Sequence, residues 1–174
     1  MTLLEIDLNK LEYNYFSLRE RLNPNSKMIG VIKANAYGSV APSIAEKLVG
    51  LGIEALAVAY AEEAAQLRQI GIKVPILVFY PQLENFNNII HLNLEPVLYS
   101  KRSWEKFAES VREEKKAAYP IHIKYNTGLN RIGFHPDEAN WVVEKISNAP
   151  FKVKSIYSHL GQTESPKPDV ETER

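Results

Sequence analysis

"MIGVIKANAYGS", residues 28–39, joins an apolar run to a short polar segment that contains one tyrosine and one glycine. The apolar part, 28–33, is rich in Val and Ile and ends at Lys33. Continuous apolar character, as opposed to strict alternation, is typical of a strand that is covered on both faces in a parallel sheet. The pattern therefore predicts a buried parallel strand with Lys33 at its carboxyl end.

Five further runs of the same kind follow along the chain, separated by amphipathic segments with helical periodicity. Short connections and regular strand–helix alternation predict an α/β fold with right-handed crossovers. A seventh strand-like run, "LLEIDL", precedes the first helical pattern, for which Asn9 and Glu12 suggest a capping box. The five later runs are 54–59, 74–79, 95–99, 120–126 and 153–159.

Two architectures accommodate these six strands. A doubly wound sheet can be built from six, whereas a (β/α)8 barrel of the TIM type needs eight strands and roughly 250 residues. With 174 residues, the barrel would be incomplete, with about six of its eight βα units. The final segment, 161–174, is polar, contains two prolines and ends where another helix could start.

Composition narrows the classes of function. Basic and acidic residues balance at 21 each, so the basic excess typical of a nucleic-acid-binding protein is missing. The chain has no cysteine, which excludes disulfides and thiolate metal sites. No signal-peptide layout and no run long enough to cross a membrane is visible. We expect a soluble, cytoplasmic protein.

Chemically useful side chains stand at the predicted strand ends. In both α/β architectures ligands bind at the carboxyl ends of parallel strands. Lys33 closes the first strand of the series, Lys124 lies near the end of the fifth and His159 closes the sixth. Arg131 lies in the loop "NTGLNRIGF" after the fifth strand, and Tyr37 follows Lys33 by four residues. We therefore expect all five side chains on one face of the fold.

Each of these residues also has a purely structural explanation. A lysine at a strand end is commonly a charge that reaches solvent, and a histidine, arginine or tyrosine there can serve packing or pairing. The remaining histidines make no metal-ligand spacing, and the glycines form no nucleotide-binding fingerprint. Together, however, desolvation by Val31 and Ile32 and nearby cations favour a neutral amine at Lys33. Such an amine can form a Schiff base with the aldehyde of pyridoxal phosphate.

Four motifs resemble those of bacterial alanine racemases, which are fold-type III pyridoxal-phosphate enzymes. "VIKANAYGS" is similar to their cofactor-lysine motif, and "HIKYNTGLNRIGF" to the segment that carries their conserved arginine. "YSHLGQTESP" resembles their strand-end histidine motif, and "LLEIDLNKLEYNY" resembles their start. The order and approximate spacing agree across nearly the whole chain. The resemblance implies that residues 1–174 are the N-terminal part of a TIM-type barrel that binds pyridoxal 5'-phosphate.

The resemblance also implies a role for each candidate residue. Lys33 would bind the cofactor covalently and act as the base on one face of the substrate carbon. Tyr37 would contact the cofactor phosphate, and His159 would lie against the cofactor ring. Arg131 would contact both the cofactor and the substrate carboxylate, and Lys124 matches a position that is carbamylated in many relatives.

Some features depart from the family pattern. Asn126 stands where an aspartate is usual, and Ser39 where a histidine is common. The last two strand–helix units and the β-rich C-terminal domain, which supplies the second catalytic base across a homodimer interface, are absent from these residues. We therefore expect the activity to be interconversion of L- and D-alanine for cell-wall synthesis, with the 174 residues inactive alone. A non-catalytic pyridoxal-phosphate-binding barrel, or a racemase or decarboxylase for another amino acid, is the alternative.

Overall fold

The computed structural model describes residues 2–161. The chain divides into two compact units, Met1–Tyr80 and Pro81–Arg174. The polar segment that begins at Gly161 lies outside the described residues from position 162 onward.

The first unit contains three parallel strands, each hydrogen-bonded to the next one in sequence. All residues of the second and third strands are buried, as their continuous apolar character predicts. The first strand is more open, since Ile29 and Val31 keep 46% and 38% of their surface exposed. The strands are β1 (Ile29–Val31), β2 (Ala55–Val58) and β3 (Ile76–Val78).

The amino terminus differs from the sequence prediction. Residues 2–7, which include most of "LLEIDL", form no strand. The first helix is capped by Asp7, not Asn9: the Asp7 carboxylate accepts hydrogen bonds from the backbone N–H groups of Asn9 (2.9 Å) and Lys10 (3.3 Å). A carboxylate at this position satisfies amides that have no partner within the helix. The helical elements of the first unit are α1 (Leu8–Arg19), the short turn α2 (Lys33–Tyr37), α3 (Ala41–Gly50) and α4 (Ala61–Gln69).

The second unit repeats the pattern with three more parallel strands, again paired in sequence order. The fifth strand is buried along almost its whole length, whereas residues of the sixth are alternately exposed and half-buried after Phe151. The strands are β4 (Glu95–Leu98), β5 (Tyr119–Lys124) and β6 (Phe151–Tyr157).

Aromatic rings form the core of the second unit. Phe107 contacts the rings of Phe86, Tyr119 and Phe151, with centroid distances of 5.0, 5.5 and 5.7 Å. The helix that carries Phe107 begins at Ser100, whose hydroxyl accepts a hydrogen bond from Ser103 N–H, as its sequence position predicts. The helices are α5 (Phe86–His91), α6 (Lys101–Glu113) and α7 (Ala139–Ile146), with 3-10 turns at Leu83–Asn85 and Pro136–Glu138.

Candidate functional site

Lys33 opens a left-handed turn directly after β1. The preceding residue, Ile32, is buried and donates its backbone N–H to Ala57 O at 2.9 Å, which extends the pairing with β2. Ala34 to Tyr37 then all have positive φ, between 51° and 56°. L-residues rarely adopt this conformation in succession, so the chain leaves the strand end in a direction that an ordinary helix would not give. The Lys33 side chain is half-buried.

Glu63 anchors this strained turn to the loop after β2. One of its carboxylate oxygens accepts a hydrogen bond from Ala34 N–H at 2.6 Å. The other accepts from Ala59 N–H at 2.7 Å and Tyr60 N–H at 3.1 Å. A single carboxylate therefore links the residue that follows Lys33 to the start of α4, and charge-assisted bonds of this kind are among the stronger ones in proteins.

Within the first unit, Lys33 and Tyr37 lie close together. The Lys33 Nζ is 6.0 Å from the centroid of the Tyr37 ring, at the outer limit for a cation–π contact. Tyr37 is 67% exposed, so its hydroxyl is accessible to a ligand. Of the two neighbours that the sequence predicts to desolvate Lys33, Ile32 is buried and Val31 is exposed.

Lys124 is the buried lysine of the candidate set. It ends β5, and only 4% of the residue is exposed. Burial, and secondarily the Arg131 guanidinium, lower the pKa of the Lys124 amine. Burial disfavours the charged form of the amine, and the positive charge of Arg131 disfavours a second positive charge nearby. Both effects increase the fraction of neutral amine at Lys124.

Tyr157 lies beside Lys124 on the neighbouring strand. The two residues are paired in the β5–β6 register, and the Lys124 Nζ is 5.3 Å from the centroid of the Tyr157 ring. Burial raises the pKa of the Tyr157 phenol well above its ordinary value, although Arg131 acts in the opposite direction. Tyr157 is therefore a neutral phenol next to Lys124.

The loop that carries Arg131 is closed at its base by backbone hydrogen bonds. Asn126 N–H donates to Phe134 O and Phe134 N–H donates to Lys124 O, each at 2.8 Å. The side-chain oxygen of Asn126 accepts from the N–H groups of Gly128 (3.3 Å) and Asn130 (2.9 Å). These contacts hold the ends of the loop and its interior together.

The loop is also fastened to the end of β6. The Ser158 hydroxyl donates to Tyr125 O at 3.0 Å, and the Thr127 and Ser158 hydroxyls are hydrogen-bonded to each other. His159 follows directly and is exposed, two residues beyond the end of β6. The carboxyl ends of β5 and β6 are thus joined beside the predicted site residues of the second unit.

A polar chain crosses β4, β5 and β6, and on β5 and β6 it lies two residues before the Lys124–Tyr157 pair. His122 is 5% exposed, and its Nε2 is 2.8 Å from a carboxylate oxygen of Glu95. Its Nδ1 is 2.6 Å from the Ser155 hydroxyl. His122 is two residues before Lys124, so both side chains lie on the same face of β5. This network satisfies both ring nitrogens inside the core.

The five predicted residues divide between the two units. The first unit brings Lys33 and Tyr37 together, and the second holds Lys124, Arg131 and His159. Sequence reasoning missed Glu63 and Tyr157. The available signal for Glu63 was its position three residues after Tyr60, where a carboxylate can cap a helix. Tyr157 becomes a neighbour of Lys124 only through the strand register.

Comparison with known proteins assigns this sequence to a family. Residues 6–174 match the family described as "Alanine racemase, N-terminal domain". The chain belongs to this family. It is 38% identical over 163 residues to alanine racemase 1 of Clostridium acetobutylicum, and 39% identical over 160 residues to the alanine racemase of Clostridium kluyveri. These matches cover 92% and 90% of the chain.

Solved alanine racemase structures confirm the fold class. A structure from Clostridium difficile 630 superposes with a TM-score of 0.91 and 28% identity over 99% of this chain. Another from the same organism, in complex with cycloserine, gives a TM-score of 0.82 and 30% identity over 87% of the chain. The parallel α/β architecture is therefore that of an incomplete TIM-type barrel, and the doubly wound alternative is wrong.

The chain spans less than half the length of the relatives that it matches. It covers 42% and 40% of the two curated clostridial racemases, and 47% of the Clostridium difficile chain with the higher superposition score. In the described part of the chain, no helix is long and apolar enough to cross a membrane. Residues 2–161 likewise contain no cluster of three or more histidine, aspartate or glutamate side chains suited to a metal ion.

Proposed function

We propose that this chain forms the N-terminal, cofactor-binding part of an enzyme that interconverts L-alanine and D-alanine with pyridoxal 5'-phosphate. The observation that carries the proposal is Lys33 at the carboxyl end of β1, within the "KANAYGS" motif of a chain that belongs to the alanine racemase N-terminal family. Carboxyl ends of parallel strands are where barrel enzymes bind their ligands.

The charges of the described residues fit such a cofactor. Among residues 2–161, no carboxylate lies within 4.0 Å of the charged groups of Lys33, Lys124 or Arg131. Cationic side chains that are not neutralised by protein carboxylates suit a ligand with a phosphate, a phenolic oxygen and a substrate carboxylate. When bound, pyridoxal phosphate supplies an aldehyde for covalent attachment and a ring that accepts the electron pair of the deprotonated carbon.

Within this proposal, the residues of the chain bind the reactants and move one proton. The Lys33 Nζ anchors the cofactor and then accepts or returns the α-proton on one face of alanine. The exposed Tyr37 hydroxyl donates to the phosphate. Arg131 would bind the substrate carboxylate, for which a planar guanidinium is well matched, and His159 would contact the cofactor ring.

Lys124 is proposed to be carbamylated. Its lowered pKa raises the share of neutral amine, which is the form that reacts with carbon dioxide. The neutral amine forms a new N–C bond to carbon dioxide as one C=O π bond opens to C–O⁻, and the nitrogen then loses one proton to water, so the neutral side chain becomes an anion. The product could pair with Arg131, the nearby cation that contributes to the lowered pKa of the amine.

The wider assignments follow from the same family membership and belong to the proposal. The second base, on the opposite face of the α-carbon, would be a tyrosine of a β-rich domain across a homodimer interface. The enzyme would act in the cytoplasm and supply D-alanine for the cell wall. Alanine is favoured as substrate over serine, lysine or ornithine because the curated relatives quoted above are named alanine racemases.

Covalent labelling tests the proposal directly. The protein, with whatever its gene encodes beyond Arg174, is incubated with pyridoxal phosphate, reduced with borohydride, digested and mapped by mass spectrometry. The label should be on Lys33, should vanish in K33R, and should persist in K73R, which changes an exposed lysine. Racemisation of alanine, serine, lysine and ornithine is then followed by chiral chromatography. Label on another lysine would refute the assignment, and label without turnover would favour a non-catalytic carrier.

A further inference from the structure

Asn126 organises the interior of the loop that carries Arg131. Its side-chain oxygen accepts two backbone hydrogen bonds, from Gly128 and Asn130, and its side-chain nitrogen donates to the Asn130 side-chain oxygen at 3.0 Å. Asn130 has a φ of 53°, a conformation that asparagine tolerates better than most residues. One amide therefore fixes the backbone immediately before Arg131.

The same residue connects the loop to Lys124. The backbone N–H of Asn126 closes the loop on Phe134, and Phe134 in turn donates to the carbonyl of Lys124. Gly133 lies so close that a Cβ there would be 2.5 Å from the Asn126 nitrogen. Arg131 therefore lies in a loop whose closing hydrogen bonds and interior hydrogen bonds both involve Asn126.

The chemistry of an amide differs from that of a carboxylate at this position. An aspartate, as in the family pattern, could accept the same two backbone hydrogen bonds but could not donate to the Asn130 oxygen. It would also add a negative charge to the loop of Arg131. In the described residues no carboxylate is within 4.0 Å of Arg131, so an aspartate at position 126 would add its charge to that of the carbamate proposed at Lys124.

We propose that Asn126 is a positioning residue for Arg131: its amide orders the loop without adding a carboxylate that would compete with an incoming substrate carboxylate for the guanidinium. The inference deepens the proposed function and rests on it for the identity of that carboxylate. The ordering of the loop is independent of cofactor and substrate, so it is measured separately.

Three substitutions separate order from charge in the protein as its gene encodes it. N126A removes both side-chain functions, N126D keeps the acceptor but adds charge, and N130G removes the side-chain partner at a positive φ that glycine adopts without strain. Hydrogen exchange at the Gly128 and Asn130 amides reports the order of the loop. Calorimetric titration with propionate, which has the carboxylate and carbon chain of alanine but no amine, reports the binding capacity of Arg131. The KM and kcat for alanine are measured in parallel.

N126A should lose exchange protection at both amides and weaken propionate binding at every salt concentration. N126D should keep the protection, yet weaken propionate binding and raise KM by about threefold to tenfold at low salt, with kcat changed less. Because a charge effect is screened by salt and a disordered loop is not, the N126D defect should shrink at high ionic strength. N130G should keep protection and bind within about twofold of the unmodified protein.

Unchanged exchange and binding in N126A would overturn the positioning role. If N126A does not fold, exchange in N126D decides instead, since loss of protection there would contradict the acceptor role. Wild-type affinity of N126D at low salt, or no propionate binding by the unmodified protein, would overturn the charge argument. Failure of the proposed function has a different signature, namely no label on Lys33 and no racemisation while the exchange pattern of the loop remains.

Discussion

Replacing Gly133 by alanine should damage the Arg131 loop more than its half-buried position suggests. A Cβ at this residue would lie 2.5 Å from the nitrogen of Asn126, 2.5 Å from the carbonyl carbon of Tyr125 and 2.9 Å from its oxygen. All three are backbone atoms, so no side chain can rotate away to relieve the overlap. The φ of +135° is itself unfavourable for any residue except glycine.

The magnitude follows from these contacts. Forcing alanine into a positive φ costs roughly 1–2 kcal/mol. Moving the loop to remove the overlap breaks the pair of hydrogen bonds between Asn126 and Phe134 and between Phe134 and Lys124, each worth about 0.5–1.5 kcal/mol net. We therefore expect G133A to lower the free energy of unfolding by about 2–5 kcal/mol.

Gly71 offers a matched control. It has a positive φ of +89°, but nothing lies within 4 Å of a Cβ built there. G71A should therefore cost only the conformational term of roughly 1–2 kcal/mol. Urea unfolding gives both free energies, and hydrogen exchange at the Phe134 amide shows whether the damage is local. The reasoning fails if G133A costs no more than G71A while the Phe134 amide keeps its protection.

Three further outcomes are expected. E63Q should lower the free energy of unfolding by about 1.5–3 kcal/mol because the amide cannot serve all three N–H groups, while E46Q, at an exposed helical site, should stay within about 0.5 kcal/mol. K124M should stabilise the protein near pH 7, because the lowered pKa of Lys124 means that the folded state binds fewer protons than the unfolded state. The stability of the wild type therefore rises with pH, and the advantage of K124M in unfolding curves should fade towards pH 10. E95A should cost about 1–3 kcal/mol by leaving the buried His122 Nε2 without its partner, and an E95A protein as stable as E46A would contradict this.

The strand pattern could be predicted from the sequence because parallel strands have a distinctive composition. All six predicted runs contain an observed strand or most of one, including the fully buried β2 and β3. "LLEIDL" was the exception: its alternation is that of a strand, but the Asp7 side chain caps α1 and the preceding residues find no strand partner within the described residues. A local pattern gives no information about pairing partners.

Part of the candidate site could also be predicted from the apolar strand pattern. Lys33 and Lys124 could be assigned to strand ends because their strands are continuous apolar runs. The left-handed turn after Lys33 could not be foreseen, since Ala34 and Ala36 are residues that favour ordinary helices. Nor could the pairing of Lys124 with Tyr157, because register depends on how two strands align and not on either strand alone.

The order of strand pairing also bears on how the chain acquires its structure. Within each unit, every strand pairs with the next one in sequence: β1 with β2, β2 with β3, β4 with β5 and β5 with β6. Each pairing closes only one crossover, so the entropy lost in loop closure stays small at every step. Because the ribosome releases the polypeptide from its amino terminus, the strand end that carries Lys33 emerges before the loop that carries Arg131, and each new strand within a unit can join an edge that is already formed.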